Sequence, residues 1–241
     1  MAIDFVSASS QSISRTTAPS LDAAYTLMGW FRPDAVNNNT FFHVGDSSNY
    51  YDTIQINSSA NLQTEVFYPA ATWTSNSNTT LSAGTWYHIA LVRADGDTLY
   101  GYLNGVLDNT VSRTVSRGAA NLLNVARLRN NIGSFEAYFD GRVVGLKAWS
   151  TNLSASEIMT EMHTLIPKKY TSLWAWWPLF SGSGVRARDY SVNGRTWTEN
   201  GTLADGVGAP VVWGMFAPHY APVAVAVGGG SILPMMMAHH G

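Results

Sequence analysis

The glutamates of this chain are too widely spaced to predict hydrolytic chemistry. Glycoside hydrolysis needs two carboxylates positioned about 5–10 Å apart. A single strand supplies such a pair only at alternating positions, because alternate residues face the same side. The sequence contains no alternating run of acidic residues, and its glutamates are Glu65, Glu136, Glu157, Glu161 and Glu199. We therefore predict that the protein is not an enzyme and has no catalytic residues.

The histidines provide no catalytic pair either. His88 lies in Trp86–Arg93, the most strand-like segment of the chain, and no local acid or serine pattern would make it a catalytic base. It is interpreted as a histidine packed in a sheet. His239 and His240 are adjacent near the end of the chain. Adjacent histidines can bind a metal ion, but two ligands alone favour packing as the explanation.

Aromatic and amide side chains predict a candidate carbohydrate-binding patch. Trp73 lies in the polar stretch ATWTSNSNTT, near Tyr68, and Asn76 and Asn78 follow it. An exposed aromatic ring can stack on the apolar face of a sugar, and the two amides would supply hydrogen bonds. The alternative is that Trp73 anchors a loop or contacts another subunit.

The last part of the chain, residues 206–241, contains no Asp, Glu, Lys or Arg. Soluble monomers expose only small apolar patches, so we expect this tail to pack against another copy of the protein. A membrane span is not predicted, because Pro222, Gly228–Gly230 and Pro234 interrupt the apolar run. The residues expected to mediate assembly are Trp213, Met215, Phe216, Tyr220, Ile232, Leu233, Met235, Met236 and Met237.

Short apolar runs alternate with polar turns through most of the chain, which is typical of antiparallel strands. One helix is predicted after Ser154, which forms a capping box with Glu157, and Pro167 is expected to end it. Asn104-Gly105 indicates a tight hairpin turn. The predicted strands are Tyr25–Phe31, Phe41–Val44, Thr53–Ile56, Glu65–Tyr68, Trp86–Arg93, Thr98–Leu103, Phe139–Trp149 and Leu173–Leu179. The pattern predicts an all-β antiparallel sandwich, a jelly roll, with one short helix and an extended apolar C-terminal tail.

The composition excludes several classes of function. The net charge is −2 and no Lys/Arg cluster occurs, so we do not expect nucleic-acid binding. There is no cysteine, so disulfides and thiolate metal sites are excluded. The first residues do not have the basic start and apolar run of a secretory signal, so export by that route is not expected. We predict two parts, a sandwich over residues 1–205 and an assembly tail over residues 206–241.

Several segments together resemble the laminin G-like, concanavalin A-like jelly-roll superfamily. GTWYHIALVR (Gly84–Arg93), LYGYLNGVL (Leu99–Leu107) and FDGRVVGLKAWSTNLSASEI (Phe139–Ile158) are the most similar, and the resemblance covers roughly Ile3–Leu203. The segment LWAWWPLF resembles a strand usually found at the start of such domains, yet here it follows the helix. The resemblance implies a jelly-roll fold, in a superfamily that includes lectins, adhesion modules, glycan hydrolases and coat domains.

The resemblance also implies Ca²⁺ as a candidate cofactor, since laminin G-like domains often hold this ion at the rim of the sandwich. Asp46, Asp140 and Asp189 lie in Gly/Ser/Asn-rich turns and are the candidate ligands. The alternative is ordinary turn chemistry, in which each aspartate accepts hydrogen bonds from its own backbone. No other cofactor is expected.

Taken together, the sequence predicts a non-enzymatic structural protein that decorates, coats or mediates adhesion of a virus or phage particle. Its expected partners are further copies of itself, other coat subunits and glycans, but neither nucleic acid nor a membrane span. It would be located in a virion assembled in the host cytoplasm. The alternative is a carbohydrate-binding module, or an extracellular filament or surface-layer subunit, located outside the cell or on its surface.

Overall fold

A computed structural model of the chain describes residues 2–20, 23–46, 50–68, 71–94, 98–112, 120–130, 133–179, 186–208, 224–227 and 231–234. The chain divides into two compact units, Met1–Ala209 and Pro210–Gly241.

Most of the first unit consists of β-strands, as the alternating sequence pattern predicts. In chain order the described strands are β1 (Ala2–Phe5), β2 (Ser12–Arg15), β3 (Tyr25–Pro33), β4 (Asn39–Gly45), β5 (Tyr51–Ile56), β6 (Asn61–Tyr68), β7 (Ala71–Thr80), β8 (Tyr87–Arg93), β9 (Thr98–Leu103), β10 (Val106–Ser112), β11 (Leu122–Val125), β12 (Leu128–Arg129), β13 (Phe135–Glu136), β14 (Gly141–Trp149), β15 (Leu173–Trp177), β16 (Thr198–Asn200), β17 (Ala204–Gly206), β18 (Ala224–Val227) and β19 (Ser231–Pro234). A 3₁₀ turn spans Ser7–Ser9 and the helix α1 spans Ala155–Met162.

Two large sheets form the sandwich. The eight-stranded sheet has the order β10-β9-β8-β3-β14-β1-β17, with β15 also paired to β14, and the seven-stranded sheet has the order β16-β2-β11-β4-β5-β6-β7. The strand pairs of both sheets run antiparallel, for example β3 with β8 and β5 with β6. The structure therefore confirms the predicted antiparallel β-sandwich.

Apolar side chains from the facing surfaces of the two sheets form the main core. Phe31 contacts Phe41, Phe42 and Phe139 at ring-centroid distances of 4.8, 5.2 and 5.7 Å. One ion pair is buried among them at the end of the sandwich where β5 begins and β8 ends. There Asp52 accepts two hydrogen bonds from Arg93, both 2.7 Å long.

The Asn104-Gly105 turn is present and joins β9 to β10. Both residues have positive φ, 50° and 80°, which matches the twist of a hairpin. By contrast, the polar stretch 71–80 forms a strand, β7, which the sequence does not predict because it lacks apolar alternation. It lies at the edge of the seven-stranded sheet, where exposed polar side chains are common.

Helix α1 begins at the predicted capping box, in which Ser154 and Glu157 bond each other's backbone. It packs on the outer face of the eight-stranded sheet, against a second core that includes Trp149 and Ile158. The helix ends at Met162, one turn before the predicted end at Pro167. The Lys147 ammonium donates to the carbonyl of Glu161, in the last turn of the helix, at 2.9 Å and to that of Thr164, just beyond it, at 2.7 Å.

The Trp-rich strand β15 completes the sheet at an unexpected place. β1 pairs with the first residues of β14, Gly141–Val143, and β15 pairs with its last residues, Leu146–Trp149. β3 occupies the other edge of β14. β1 and β15 therefore lie along the same edge, and β16 and β17 extend the sandwich further by pairing with β2 and β1.

The second unit contains a short antiparallel hairpin of β18 and β19, in which Ala226 pairs with Ile232 and Val225 with Leu233. For Ile232 and Leu233 the structure describes the backbone but not the side chains. The other predicted assembly residues are also outside them, namely Trp213, Met215, Phe216, Tyr220, Met235, Met236 and Met237, as are His239 and His240. Among the described residues, no helix has the length and hydropathy needed to cross a membrane.

Candidate functional site

The outer face of the seven-stranded sheet is polar where β5 and β6 lie side by side. Along these strands the apolar residues Ile54 and Val66 face the core. Their alternation turns Gln55, Gln63 and Glu65 outward, since successive side chains of a strand point to opposite faces. In the pairing of β5 with β6, Gln55 lies opposite Gln63.

Part of this face is covered by the hairpin of β12 and β13, described at residues 127–130 and 133–137, which we call the covering hairpin. Its Leu128 packs against the rings of Tyr51 and Phe67 on the sheet. Its Arg129 carbonyl lies 3.2 Å from Nε2 of the buried His43, and the Arg129 guanidinium donates to the Asp46 carbonyl at 3.1 Å. The hairpin is thus fixed to the sheet by apolar and polar contacts.

A groove remains between the covering hairpin and the open part of the sheet, and we call it the sheet groove. It has a volume of about 420 Å³. Its lining combines hydroxyl, amide and carboxylate groups with two apolar residues, and consists of Asn38, Tyr51, Gln55, Glu65, Leu128, Glu136 and Ala137.

The carboxylate at the floor of the sheet groove is held by a tyrosine. The Tyr51 hydroxyl donates to Glu65 Oε1 at 2.9 Å, and the Tyr51 ring stacks on Phe67 with centroids 4.8 Å apart. Burial raises the pKa of Glu65, because the low-dielectric surroundings disfavour its charged form, and the bond from Tyr51 opposes this only in part. Burial also raises the pKa of Tyr51, with further contributions from the charges of Glu65 and Glu136. Both carboxylates therefore act on one hydroxyl.

Side-chain amides continue from the groove toward the edge of the sheet. Gln55 donates to Gln63 at 2.6 Å, and Gln63 donates to Asn76 at 2.8 Å. Asn57 donates to the same Asn76 oxygen at 3.2 Å. We call this row the amide ladder; each member retains donor or acceptor capacity for a ligand, because an amide offers two donors and two lone pairs.

The structure separates the predicted carbohydrate-binding residues. Trp73 pairs with the inward-facing Val66 and packs, half-buried, against the main core. Asn76 lies on the opposite face of β7, in the amide ladder, and Asn78 is exposed further along the strand. Tyr68 is half-buried and meets Tyr50 edge-on at 4.7 Å. Of the four predicted residues, only Asn76 is therefore part of the site described above.

The predicted calcium ligands are not brought together. Asp46 follows the end of β4 and accepts from the Tyr50 amide at 3.0 Å. Asp140 lies beside the end of β3, where its carbonyl accepts from the Asp34 amide at 2.8 Å, and its carboxylate accepts from the Ser7 amide at 3.4 Å. Asp189 accepts from the amides of Ser191 and Arg195 at 2.8 and 2.7 Å, as a turn aspartate does. Within the described ranges, no group of three or more acidic or histidine side chains forms a metal-binding cluster.

The glutamates are less scattered in space than in sequence. The fold brings Glu65 and Glu136 into one groove, although they lie 71 positions apart in the sequence (136 − 65). The outward positions of Gln55, Gln63 and Glu65 follow from strand alternation and could have been found from sequence. The position of Glu136 has no such local signal, because it depends on where the covering hairpin lies. His88, by contrast, is buried in the sheet, as predicted.

Comparison with known proteins identifies the family. Residues 7–159, more than half of the chain, match the family model described as the concanavalin A-like lectin/glucanases superfamily, of the laminin G type. The chain belongs to this superfamily. The resemblance noted from the sequence is thereby confirmed.

Solved structures share the superfamily fold at low sequence identity. A heptameric SAP-like pentraxin from Limulus polyphemus is 15% identical, with 86% of this chain and 94% of the pentraxin covered and a TM-score of 0.59. A putative carbohydrate-binding protein from Bacteroides ovatus is 17% identical, with 84% and 59% covered and a TM-score of 0.58. The CBM40 domain of a Ruminococcus gnavus IT-sialidase, bound to α2,3 sialyllactose, is 11% identical, with 66% and 95% covered and a TM-score of 0.51. No curated protein sequence matches the chain significantly.

Proposed function

We propose that this superfamily member is a non-catalytic glycan-binding module and that the sheet groove with its amide ladder is the binding site. The observation that carries the proposal is the lining of the groove, where the Glu65 carboxylate and the side-chain amides lie side by side on the sheet and the covering hairpin adds Glu136. Sugar hydroxyls both donate and accept hydrogen bonds, and such groups satisfy them in pairs. Two structural neighbours point the same way, one described as carbohydrate-binding and one bound to a sialylated sugar.

The proposed test is glycan-array screening of the full chain, followed by calorimetric titration with the best ligand. Gln63→Ala removes the centre of the amide ladder, and we expect binding to weaken up to about tenfold, the value of one lost hydrogen bond. Thr110→Ala is the matched control, because Thr110 is exposed on an edge strand of the other sheet. Equal binding by both variants, or no glycan bound by the intact chain, would contradict the proposal.

The absence of catalysis is part of the proposal. Glu136 is exposed and lies on the covering hairpin, where Asn130 donates to its Oε2 at 3.0 Å. The Glu65 carboxylate accepts a hydrogen bond from the Tyr51 hydroxyl. We expect the purified protein to release no reducing sugar from the glycans that it binds. Sustained turnover that Glu65→Gln or Glu136→Gln abolishes would show that the protein is an enzyme.

A second candidate function is self-assembly as a surface subunit of a virus or phage particle. It is supported by residues 206–241, which contain no charged side chain and would bury apolar area at roughly 25 cal/mol per Å² on association. We expect deletion of residues 210–241 to leave a folded sandwich and to reduce the oligomeric mass measured by light scattering. An unchanged mass would contradict this candidate. Glycan binding and particle assembly are compatible. A location outside the cell or on its surface would suit a glycan-binding module as well as a filament or surface-layer subunit.

A further inference from the structure

The sheet groove differs from the rest of the molecule in the way its charges are balanced. Three of the five glutamates have a cationic partner: Glu157 pairs with Lys169 at 2.5 Å, Glu161 with Lys147 at 2.8 Å and Glu199 with Arg186 at 3.9 Å. Within the described part of the chain, the ion pairs include neither Glu65 nor Glu136. These two are also the glutamates that line the sheet groove.

Among the described residues, no cation forms an ion pair with Glu65. Its side chain is half-buried on the floor of the groove and receives one neutral hydrogen bond, from Tyr51. A carboxylate removed from water without a cation is costly to keep ionised. The described residues that line the groove include no Lys, Arg or His, so none of them supplies a compensating cation.

We infer that the sheet groove selects glycans that carry a free primary amine, with the ammonium group bound between Glu65 and Glu136. This inference rests on the proposed function and names its substrate class. An ammonium has three donors and no acceptor, which suits two carboxylates. Its hydrogen bonds to them are charge-assisted and about twice as strong as neutral ones. The hydroxyl groups of neighbouring rings would lie on the amide ladder.

The same charges act against acidic sugars. A uronate or sialate carboxylate in the groove would face Glu65 and Glu136 at close range, and like charges disfavour binding. The groove thus discriminates among glycans by charge as well as by hydrogen bonding.

The test compares oligosaccharides of equal length by calorimetric titration of the full chain at neutral pH. The probes are oligomers of glucosamine, of N-acetylglucosamine, of glucose and of galacturonate. We expect the glucosamine oligomer to bind about tenfold more tightly than the N-acetylated one, because acetylation removes the charge and leaves the backbone unchanged. The galacturonate oligomer should bind most weakly.

Variants locate the preference within the groove. Glu65→Gln and Glu136→Gln should each reduce the ratio of the affinity for the glucosamine oligomer to that for the glucose oligomer several-fold. Asp4→Asn is the control, because it removes one carboxylate from β1 of the other sheet, where Asp4 pairs with Arg142 at 3.5 Å. Thermal unfolding of each variant establishes that it is folded.

The outcomes separate this inference from the proposed function. Equal binding of all neutral and cationic oligomers, or tighter binding of the galacturonate oligomer, overturns the inference and leaves glycan binding in place. The inference is also overturned if Asp4→Asn reduces the preference for the amine as much as Glu136→Gln does. Such a result would mean that the preference reflects the overall charge of the protein. Failure of any glycan to bind overturns both.

Discussion

Glu65 is less stable as a carboxylate in the folded protein than in water. Burial raises its pKa above the unfolded value, so its favourable contribution to folding is present below the unfolded pKa and is lost as the pH rises through the folded pKa. We therefore expect Glu65→Gln to raise the thermal stability of the protein at neutral pH. The difference from the wild type should vanish in acid, where Glu65 is protonated and resembles glutamine.

Glu157→Gln is the matched control, because its pKa is shifted the opposite way. The hydrogen bond from Lys169 is the largest cause that lowers the pKa of Glu157, and the capping box adds to it. Its contribution to stability is present above the unfolded pKa and is lost as the pH falls through the folded pKa. This variant should therefore be slightly less stable at neutral pH. If both variants shift stability in the same direction, the assignment of Glu65 as an uncompensated carboxylate is wrong.

Trp73 allows two interpretations that a single substitution distinguishes. Its ring packs half-buried against the main core, so we expect Trp73→Ala to lower the free energy of unfolding by about 2 kcal/mol, less than a fully buried tryptophan would lose. Denaturant unfolding measures this change. Loss of glycan binding with unchanged stability would instead favour the sugar-stacking role that the sequence predicts.

At the scale of elements, helix α1 is attached to its sheet through one buried ion pair. The Lys147 ammonium donates to the Glu161 carboxylate at 2.8 Å, and both side chains are almost fully buried. Burial lowers the pKa of Lys147 to about 8, although Glu161 opposes the shift. The remaining Glu161 oxygen accepts from the amides of Lys168 and Lys169 at 2.7 Å. The pair therefore fixes both the end of the helix and the chain that leaves it.

Removal of Lys147 alone should lower the free energy of unfolding more than removal of both charges of the Lys147–Glu161 pair. Lys147→Met leaves a buried carboxylate unpaired, which typically costs about 3–5 kcal/mol. In Lys147→Met with Glu161→Gln the glutamine oxygen can still accept from the two amides, so we expect part of the stability to return. Denaturant unfolding of the two variants tests this. A double variant that is less stable than the single one would contradict this interpretation.

The elements differ in how far the sequence predicts them, for physical reasons. β5, β8 and β9 have a strong local pattern, and the capping box fixes the start of α1, so these are close to their predicted bounds. The covering hairpin has only two residues in each strand and is held by distant partners such as His43 and Tyr51. Local patterns contain no information on such contacts, and the sheet groove was therefore not predictable as a whole.

At the scale of the whole molecule, the order of strands in the sandwich depends on pairings between distant parts of the chain. The Trp-rich strand β15 resembles a first strand in sequence, and the structure places it on the same edge of β14 as β1. β16 and β17, which follow β15 in the sequence, pair with β2 and β1, respectively. The sandwich is thus completed by residues beyond the family match at 7–159. A fragment that ends at residue 159 would lack β15, β16 and β17. It would therefore expose the edges of β14, β2 and β1 with which these strands pair.

Both layers of the sandwich contain a buried neutral histidine, which should make the molecule sensitive to acid. Burial lowers the pKa of His43, in the seven-stranded sheet, to about 4, and that of His88, in the eight-stranded sheet, to about 3. These histidines favour folding at a pH above the unfolded value of about 6.5. The contribution is lost as the pH falls from there toward the folded pKa, because the unfolded chain takes up protons that the folded one excludes.

We expect His88→Phe to reduce this loss of stability, since the benzyl ring cannot be protonated. His88 lies edge-on to Trp30 at 5.4 Å, and its Nδ1 has no hydrogen-bond partner among the described residues, so phenylalanine retains the ring contact and sacrifices no bond at that atom. The measurement is the free energy of unfolding in urea at a series of pH values between neutral and about 4. Thr110→Ala is the control, because Thr110 is exposed on β10 and has no titratable side chain. A slope that remains as steep in His88→Phe as in the wild type would show that His88 does not cause the acid sensitivity.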